Sequence, residues 1–149
     1  MLELCFFAEK RSLDPQDVTF QKWQSICSAF GVDYCYIIDR VKLPKWSARG
    51  LRTPHSIIHD FSELKADYYT VFVEKDAPSN KEPLPFYSYS HPDDALYCFG
   101  GDACGMSYAW HGDETDLRGD WIYIPSQSSL WSEQAAAIIL ADRWNRANT

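Results

Sequence analysis

The residues best suited to chemistry lie between Asp94 and Arg146. In order they are a glycine-bracketed loop, Gly100-Gly-Asp-Ala-Cys-Gly105, a serine-rich loop, Ser126-Gln-Ser-Ser-Leu130, and an alanine-rich segment opening at Ser132. Glycines at 100, 101 and 105 let a backbone approach a ligand closely, although for an isolated Gly-Gly pair plain chain reversal is the commoner role. Each loop follows a short apolar run, Ala95-Leu-Tyr-Cys-Phe99 or Trp121-Ile-Tyr-Ile-Pro125. Two strands whose carboxyl ends open into small and polar loops bring those loops to one edge of a sheet, where open α/β proteins bind small molecules. A second stretch carries Arg40, Lys42, Lys45, Arg49 and Arg52, with no acid after Asp39 and with Trp46 among them. Cations that neutralise phosphates beside an aromatic that stacks on an unpaired base form a nucleic-acid patch; the competing reading is a solvated loop around a half-buried tryptophan.

The elements that must position these residues are legible in outline. Residues 2 to 8 predict a buried strand, and Val18, Trp23, Ile26, Cys27 and Phe30 recur near the helical period after Pro15, with Asp14 or Asp17 available as a cap. Gly31 ends that helix, and Val32 to Ile38 predict a second strand, so this part is a β-α-β unit with parallel strands. Ser56 to Lys65 has roughly helical spacing and leads to a strand over 67–73. Glu74 to Pro85, with three prolines, predicts an exposed loop, either a lid or plain surface. Phe86 to Tyr89 predicts a short strand or extended segment, and Ser132 is placed to cap a helix running to Arg146.

At 149 residues the chain fits one domain, and 46% hydrophobic content argues against disorder. No apolar run reaches the roughly 18 residues of a membrane span, and the N-terminus is too poor in positive charge for a signal peptide. A cytoplasmic protein with no membrane partner is expected. Five cysteines with no CxxC pair predict free thiols, and His55 and His59 lack a third ligand, so no metal is expected. A net charge of −7 opposes broad attraction to nucleic acid, so any RNA contact must be local. No P-loop, GxSxG or HExxH pattern supports a kinase or hydrolase.

Taken together, Phe99-Gly-Gly-Asp-Ala-Cys-Gly105, Ile122-Tyr-Ile-Pro125, Ser126-Gln-Ser-Ser-Leu130 and Ala135-Ala-Ala-Ile-Ile-Leu140 resemble the C-terminal half of the SPOUT RNA methyltransferases, in their TrmH-like branch. The family pattern there is Phe-Gly, a residue, an acid, two residues and Gly, then Ile-Pro, then a Ser-Leu/Met-Asn loop entering a helix. Asp102 stands for the family's glutamate and Trp131 for its asparagine. Alignment on Cys27 and Gly31 puts the asparagine of the family's Asn-x-Gly-x-x-x-Arg motif near Thr19 and its arginine near Ser25.

The resemblance implies a single α/β domain over 1–149, with a mainly parallel sheet of five or six strands, helices on both faces and a C-terminal trefoil knot. It implies S-adenosylmethionine as cofactor, contacted by Gly100, Gly101, Asp102, Gly105, Ile124, Pro125, Ser129 and Leu130. It implies ribose 2′-O methylation of tRNA or another structured RNA, with Ser129 and Arg11 as catalytic candidates. RNA would meet Lys42, Lys45, Trp46, Arg49 and Arg52. A homodimer is expected through the helix 133–146, with Trp144 and its small residues, and the helix 17–30, with Trp23 and Phe30. The missing asparagines and arginine keep a second class open, a catalytically degenerate knot protein serving as a binding or assembly module.

Overall fold

The computed structural model describes residues 1–44, 47–64, 69–77, 81–101 and 119–149. Four of the expected site residues, Lys45, Trp46, Asp102 and Gly105, lie outside the described residues. The described strands are β1 (Leu2–Phe7), β2 (Tyr34–Ile38), β3 (His55–Ile58), β4 (Tyr69–Val73), β5 (Leu84–Pro85), β6 (Ala95–Phe99) and β7 (Asp120–Tyr123). They form one sheet in the order β3-β2-β1-β6-β4-β7-β5, and every neighbouring pair is parallel. A parallel sheet is covered on both faces, so its inner strands read as continuous apolar runs. All six residues of β1 and all five of β6 are buried accordingly.

Side chains alternate across the sheet and build two cores. Leu4 and Phe6 of β1, Val71 of β4 and Tyr97 and Phe99 of β6 point to one face, where α1 (Thr19–Phe30) adds Phe20, Trp23 and Cys27 and α2 (Ser132–Ala147) adds Ala136, Ile139 and Leu140. Trp23 stacks on Phe6, with ring centroids 3.9 Å apart and planes within 6°. Cys5, Phe7, Phe72, Leu96, Cys98 and Trp121 face the other way, packed with Phe61 of the short 3-10 helix Phe61–Glu63. The Asp17 carboxylate accepts the Thr19 N–H at 2.7 Å to start α1, and Gly31, at φ 68°, ends it. Cys5, Cys27, Cys35 and Cys98 are buried free thiols. No described helix is long and apolar enough to cross a membrane.

Several expectations need correction. The described residues form seven strands of the sheet rather than five or six, because the segment with helical spacing begins as β3 and because Leu84–Pro85 adds an edge. Pairing with the open side of β2 satisfies a row of backbone groups at once, which outweighs the weak local helix signal. Phe86–Ser88 is a 3-10 turn and not an extended segment. Trp23, expected on an intersubunit surface, is 1% exposed within the chain's own core, whereas Trp144 is 51% exposed.

The far end of α2 is pinned by a buried polar network. His91 lies 2.7 Å from the Tyr97 hydroxyl through Nδ1 and 2.8 Å from Asp142 through Nε2. Burial pushes Tyr97 up to about 12, so its hydroxyl keeps the proton and donates to Nδ1 while Nε2–H donates to Asp142, an arrangement that suits a neutral imidazole. Arg143 donates to the carbonyls of Pro92 and Asp93, and Arg146 to those of Tyr87 and Tyr89. Burial holds His91 below its ordinary value, outweighing the opposing pull of Asp142. A histidine whose folded pKa is depressed binds fewer protons folded than unfolded, so its contribution is intact above the unfolded value of about 6.5 and is lost as pH falls through the folded one. Urea midpoints should therefore decline as pH falls below about 6.5, and His91→Gln should flatten that decline.

Candidate functional site

Parallel pairing puts the carboxyl ends of all strands on one edge. The chain leaves β1 through α1 towards β2 and β3 on one side, while β6, β4 and β7 lie on the other, so the order reverses between β1 and β6. Open α/β sheets bind ligands in the crevice outside such a reversal. Ala8-Glu9 and Gly100-Gly101 flank it here. A Cβ on Gly101 would meet Phe7 at 3.5 Å and Glu9 at 3.7 Å, ordinary contacts. Internal packing thus does not demand glycine, and the bare backbone leaves this rim thin and open to a ligand.

Gly100-Gly101, the described start of the glycine loop, and the serine loop lie on the same edge, with β4 between β6 and β7. Two side chains brace this edge. The Lys75 ammonium, just past β4, donates to the Ser126 carbonyl at 2.8 Å, and the Ser132 hydroxyl donates to the Gly100 carbonyl at 2.6 Å. Ser132 therefore does not cap α2; the Gln134 side chain instead accepts the Trp131 N–H at 2.9 Å. Within the serine loop Ser129 and Pro125 are exposed, and Ile124 and Leu130 are half-buried.

Arg11 enters this edge from the loop after β1. Its two terminal nitrogens each donate to one Glu133 oxygen at 2.7 Å, and Nη1 also donates to the Thr19 hydroxyl at 3.0 Å. The guanidinium lies 4.5 Å from the centre of the Trp131 ring, and the Lys22 ammonium lies 5.6 Å from it. Bidentate pairing fixes both the direction and the charge of Arg11. Sequence reasoning singled out Arg11 but missed Glu133 and Lys22, since the ion pair spans 122 positions and carries no local pattern. Ser25 is exposed and is not part of this cluster's bonds.

The basic stretch lies on a separate part of the same side of the sheet. The Asp39 carboxylate accepts the N–H groups of Val41 and Leu43, holding Lys42 at φ 57°, and Arg40 donates to the His59 carbonyl at 3.0 Å. Gln24, buried in α1, accepts the N–H groups of Arg52 and Thr53 at 2.6 and 2.7 Å. The backbone is thus braced while Lys42, Arg49 and Arg52 remain exposed. A cavity of about 330 Å³ lined by Glu82, Leu84, Ser88, Tyr89, Ser90, Asp120 and Trp121 sits at the opposite, amino end of β7 and includes neither strand-end loop.

No protein-family model matches the chain, and no curated protein sequence matches it. Among solved structures it is similar to the SpoU methyltransferase AviRb from Streptomyces viridochromogenes, solved with AdoMet, at 16% identity and a TM-score of 0.72 over 100% of this chain and 58% of that one. The chain has the SPOUT methyltransferase fold. An RNA 2′-O ribose methyltransferase aligns at 15% identity and TM-score 0.66 over 100% of this chain and 57% of the other. A TrmH-family structure from Porphyromonas gingivalis aligns at 17% and 0.63 over 97% and 59%. This SPOUT-fold chain spans under three fifths of the length of each of the three.

In this SPOUT-fold chain, Glu133 is 5% exposed and faces Arg11. Arg11→Ala would strand a buried carboxylate and should lower the unfolding free energy in urea by about 3 kcal/mol. Adding Glu133→Gln should recover part of that loss.

Proposed function

We propose that the chain is an S-adenosylmethionine-dependent RNA methyltransferase-like protein acting on a ribose 2′-hydroxyl of a structured RNA such as tRNA, in the cytoplasm. The observation that carries this reading is the union of a SPOUT fold with glycine and serine loops tied at one sheet edge by the Ser132–Gly100 bond. AdoMet in the AviRb structure and the RNA 2′-O ribose methyltransferase among the similar structures support the cofactor and the reaction class.

The residues present suit such a cofactor. Backbone groups around Gly100, Gly101 and Ile124, and those of Ser129 and Leu130, can recognise an adenine edge whatever their side chains, and the thin rim at Gly101 leaves them accessible. Asp102, Gly105 and Pro125 complete the loops by their place in the motif. When bound, the cofactor supplies an electrophilic methyl group to the ribose oxygen. The Ser129 hydroxyl, exposed on the loop, would orient the ribose, and Arg11, held against Trp131, would orient the neighbouring phosphate. Lys42, Arg49 and Arg52, with Lys45 and Trp46 of the same stretch, would hold the RNA backbone.

The assembly belongs to the same proposal: residues after β7 thread the preceding chain as a trefoil knot, and two copies pair through α2. Trp144 and Ile138, both exposed on α2, supply the apolar area that Trp23 cannot. A second reading, a degenerate knot protein serving as a binding or assembly module, is favoured by one observation: Glu133 already neutralises Arg11, the one arginine beside the serine loop among the described residues.

Isothermal titration with S-adenosylmethionine should show saturable heat below millimolar ligand, and no heat would favour the module. Light scattering on the same sample should give twice 17.2 kDa for the dimer. If the basic stretch meets phosphates, replacing Lys42, Arg49 and Arg52 together by alanine should weaken RNA binding at every sequence and flatten its salt dependence. An unchanged salt slope would return the stretch to ordinary solvated surface.

A further inference from the structure

We propose that Trp131 is a stacking platform for an unpaired RNA base at the mouth of the site, with Lys22 as the cation for the phosphate beside it. The inference rests on the RNA reading above; it adds Lys22, and it gives Trp131 a part different from that of the asparagine the family pattern has at this position.

Trp131, at the start of α2, is 47% exposed. Its N–H is held by Gln134 and its carbonyl accepts the Ala135 N–H at 3.0 Å, so the residue cannot swing with the loop. The Arg11 guanidinium, locked by Glu133 and Thr19, lies over the ring 4.5 Å from its centre, and the Lys22 ammonium lies over it at 5.6 Å, so a base would stack on the ring surface that these cations leave exposed. A large aromatic held in one orientation and left half in water has little to add to folding, but it suits a flat ligand. With Arg11 offset by Glu133, the Lys22 ammonium within 6 Å of the ring centre favours a ligand that is anionic as well as flat. A nucleotide has both properties, whereas an acidic peptide has only the charge. Trp131 is also one residue from Ser132, which bonds the glycine loop, so a base stacked there would set its ribose near the exposed hydroxyls of Ser128 and Ser129.

The charge balance sharpens this. Glu133 offsets Arg11, and the whole chain carries a net charge of −7, so phosphate attraction is weak and affinity for an unpaired nucleotide must lean on stacking. Stacking does not release counterions. Loss of the indole should therefore lower affinity without changing the salt slope, and loss of the Lys22 ammonium should lower the slope.

The test is fluorescence anisotropy of the full chain with a labelled, unstructured 12-nucleotide RNA across a salt series. Trp131→Ala should weaken binding about tenfold, within the range of about five- to hundredfold that loss of one stacked base produces, at unchanged salt slope. Trp131→Phe, which keeps a ring, should stay within about threefold of wild type, and Lys22→Ala should reduce the slope by about one unit. The rival role for Trp131 is to shield the Arg11–Glu133 pair from water. Wild-type RNA affinity in Trp131→Ala with a lowered urea midpoint would assign it that role and overturn the proposal. A shift in mass by light scattering with unchanged RNA affinity would assign it to an interface between copies and overturn it too, as would wild-type protein that binds no RNA at low salt. Titration of the wild type with S-adenosylmethionine separates the two levels. If no cofactor binds but Trp131→Ala still loses RNA, the methyltransferase reading fails and the platform stands; if cofactor binds but RNA affinity ignores Trp131, only the platform fails.

Discussion

Parallel pairing of every described strand is the constraint on which the molecule turns. A parallel strand can be reached only by a crossover, so connecting segments must lie over the faces of the sheet, and both faces become core. The inner strands then leave little room for polar side chains: β1 and β6 are buried throughout, with the Glu3 carboxyl and the Tyr97 hydroxyl as the polar exceptions. What is excluded from the faces collects where the strands end. Because all of them end on one edge, the segments that follow β1, β4 and β7 and the Gly100-Gly101 end of β6 lie along it.

Helix α2 couples that edge to the opposite one. Its 16 residues span about 24 Å at 1.5 Å per residue. At its start Ser132 bonds the glycine loop and Glu133 holds Arg11; towards its end Asp142 and Arg146 engage His91 and the carbonyls before β6. Between them Ala136, Ile139 and Leu140 press on the sheet. Small side chains at 135 to 137 thus serve close approach within the chain, and the apolar surface left over is that of Ile138 and Trp144.

The Arg11–Glu133 pair is the costliest feature of the site edge. Desolvating a carboxylate to 5% exposure is unfavourable unless it is matched, and a bidentate guanidinium is the partner that matches it best. Such a pair adds little net stability compared with apolar residues of similar size, yet it fixes where the serine loop enters α2 and which way Trp131 points. Thr19 completes the same arrangement, from the position that the family motif gives to asparagine.

Local patterns in the sequence were enough to determine the apolar strands 2–7 and 95–99, the stop at Gly31, the two α-helices and the serine loop between β7 and α2, because burial on both faces and left-handed backbone leave marks in consecutive residues. They were not enough for β3, whose Ile57 and Ile58 fit a helical period until the open side of β2 offers a parallel ladder. Nor could periodicity say that Trp23 would stack inward on Phe6, that β4 would come between β6 and β7, or that Arg11 would meet Glu133. Each of these is a contact between segments distant in the chain, decided by which surfaces remain uncovered once the sheet has formed. Hydrophobic patterning records how buried a residue is; only the tertiary structure decides against what.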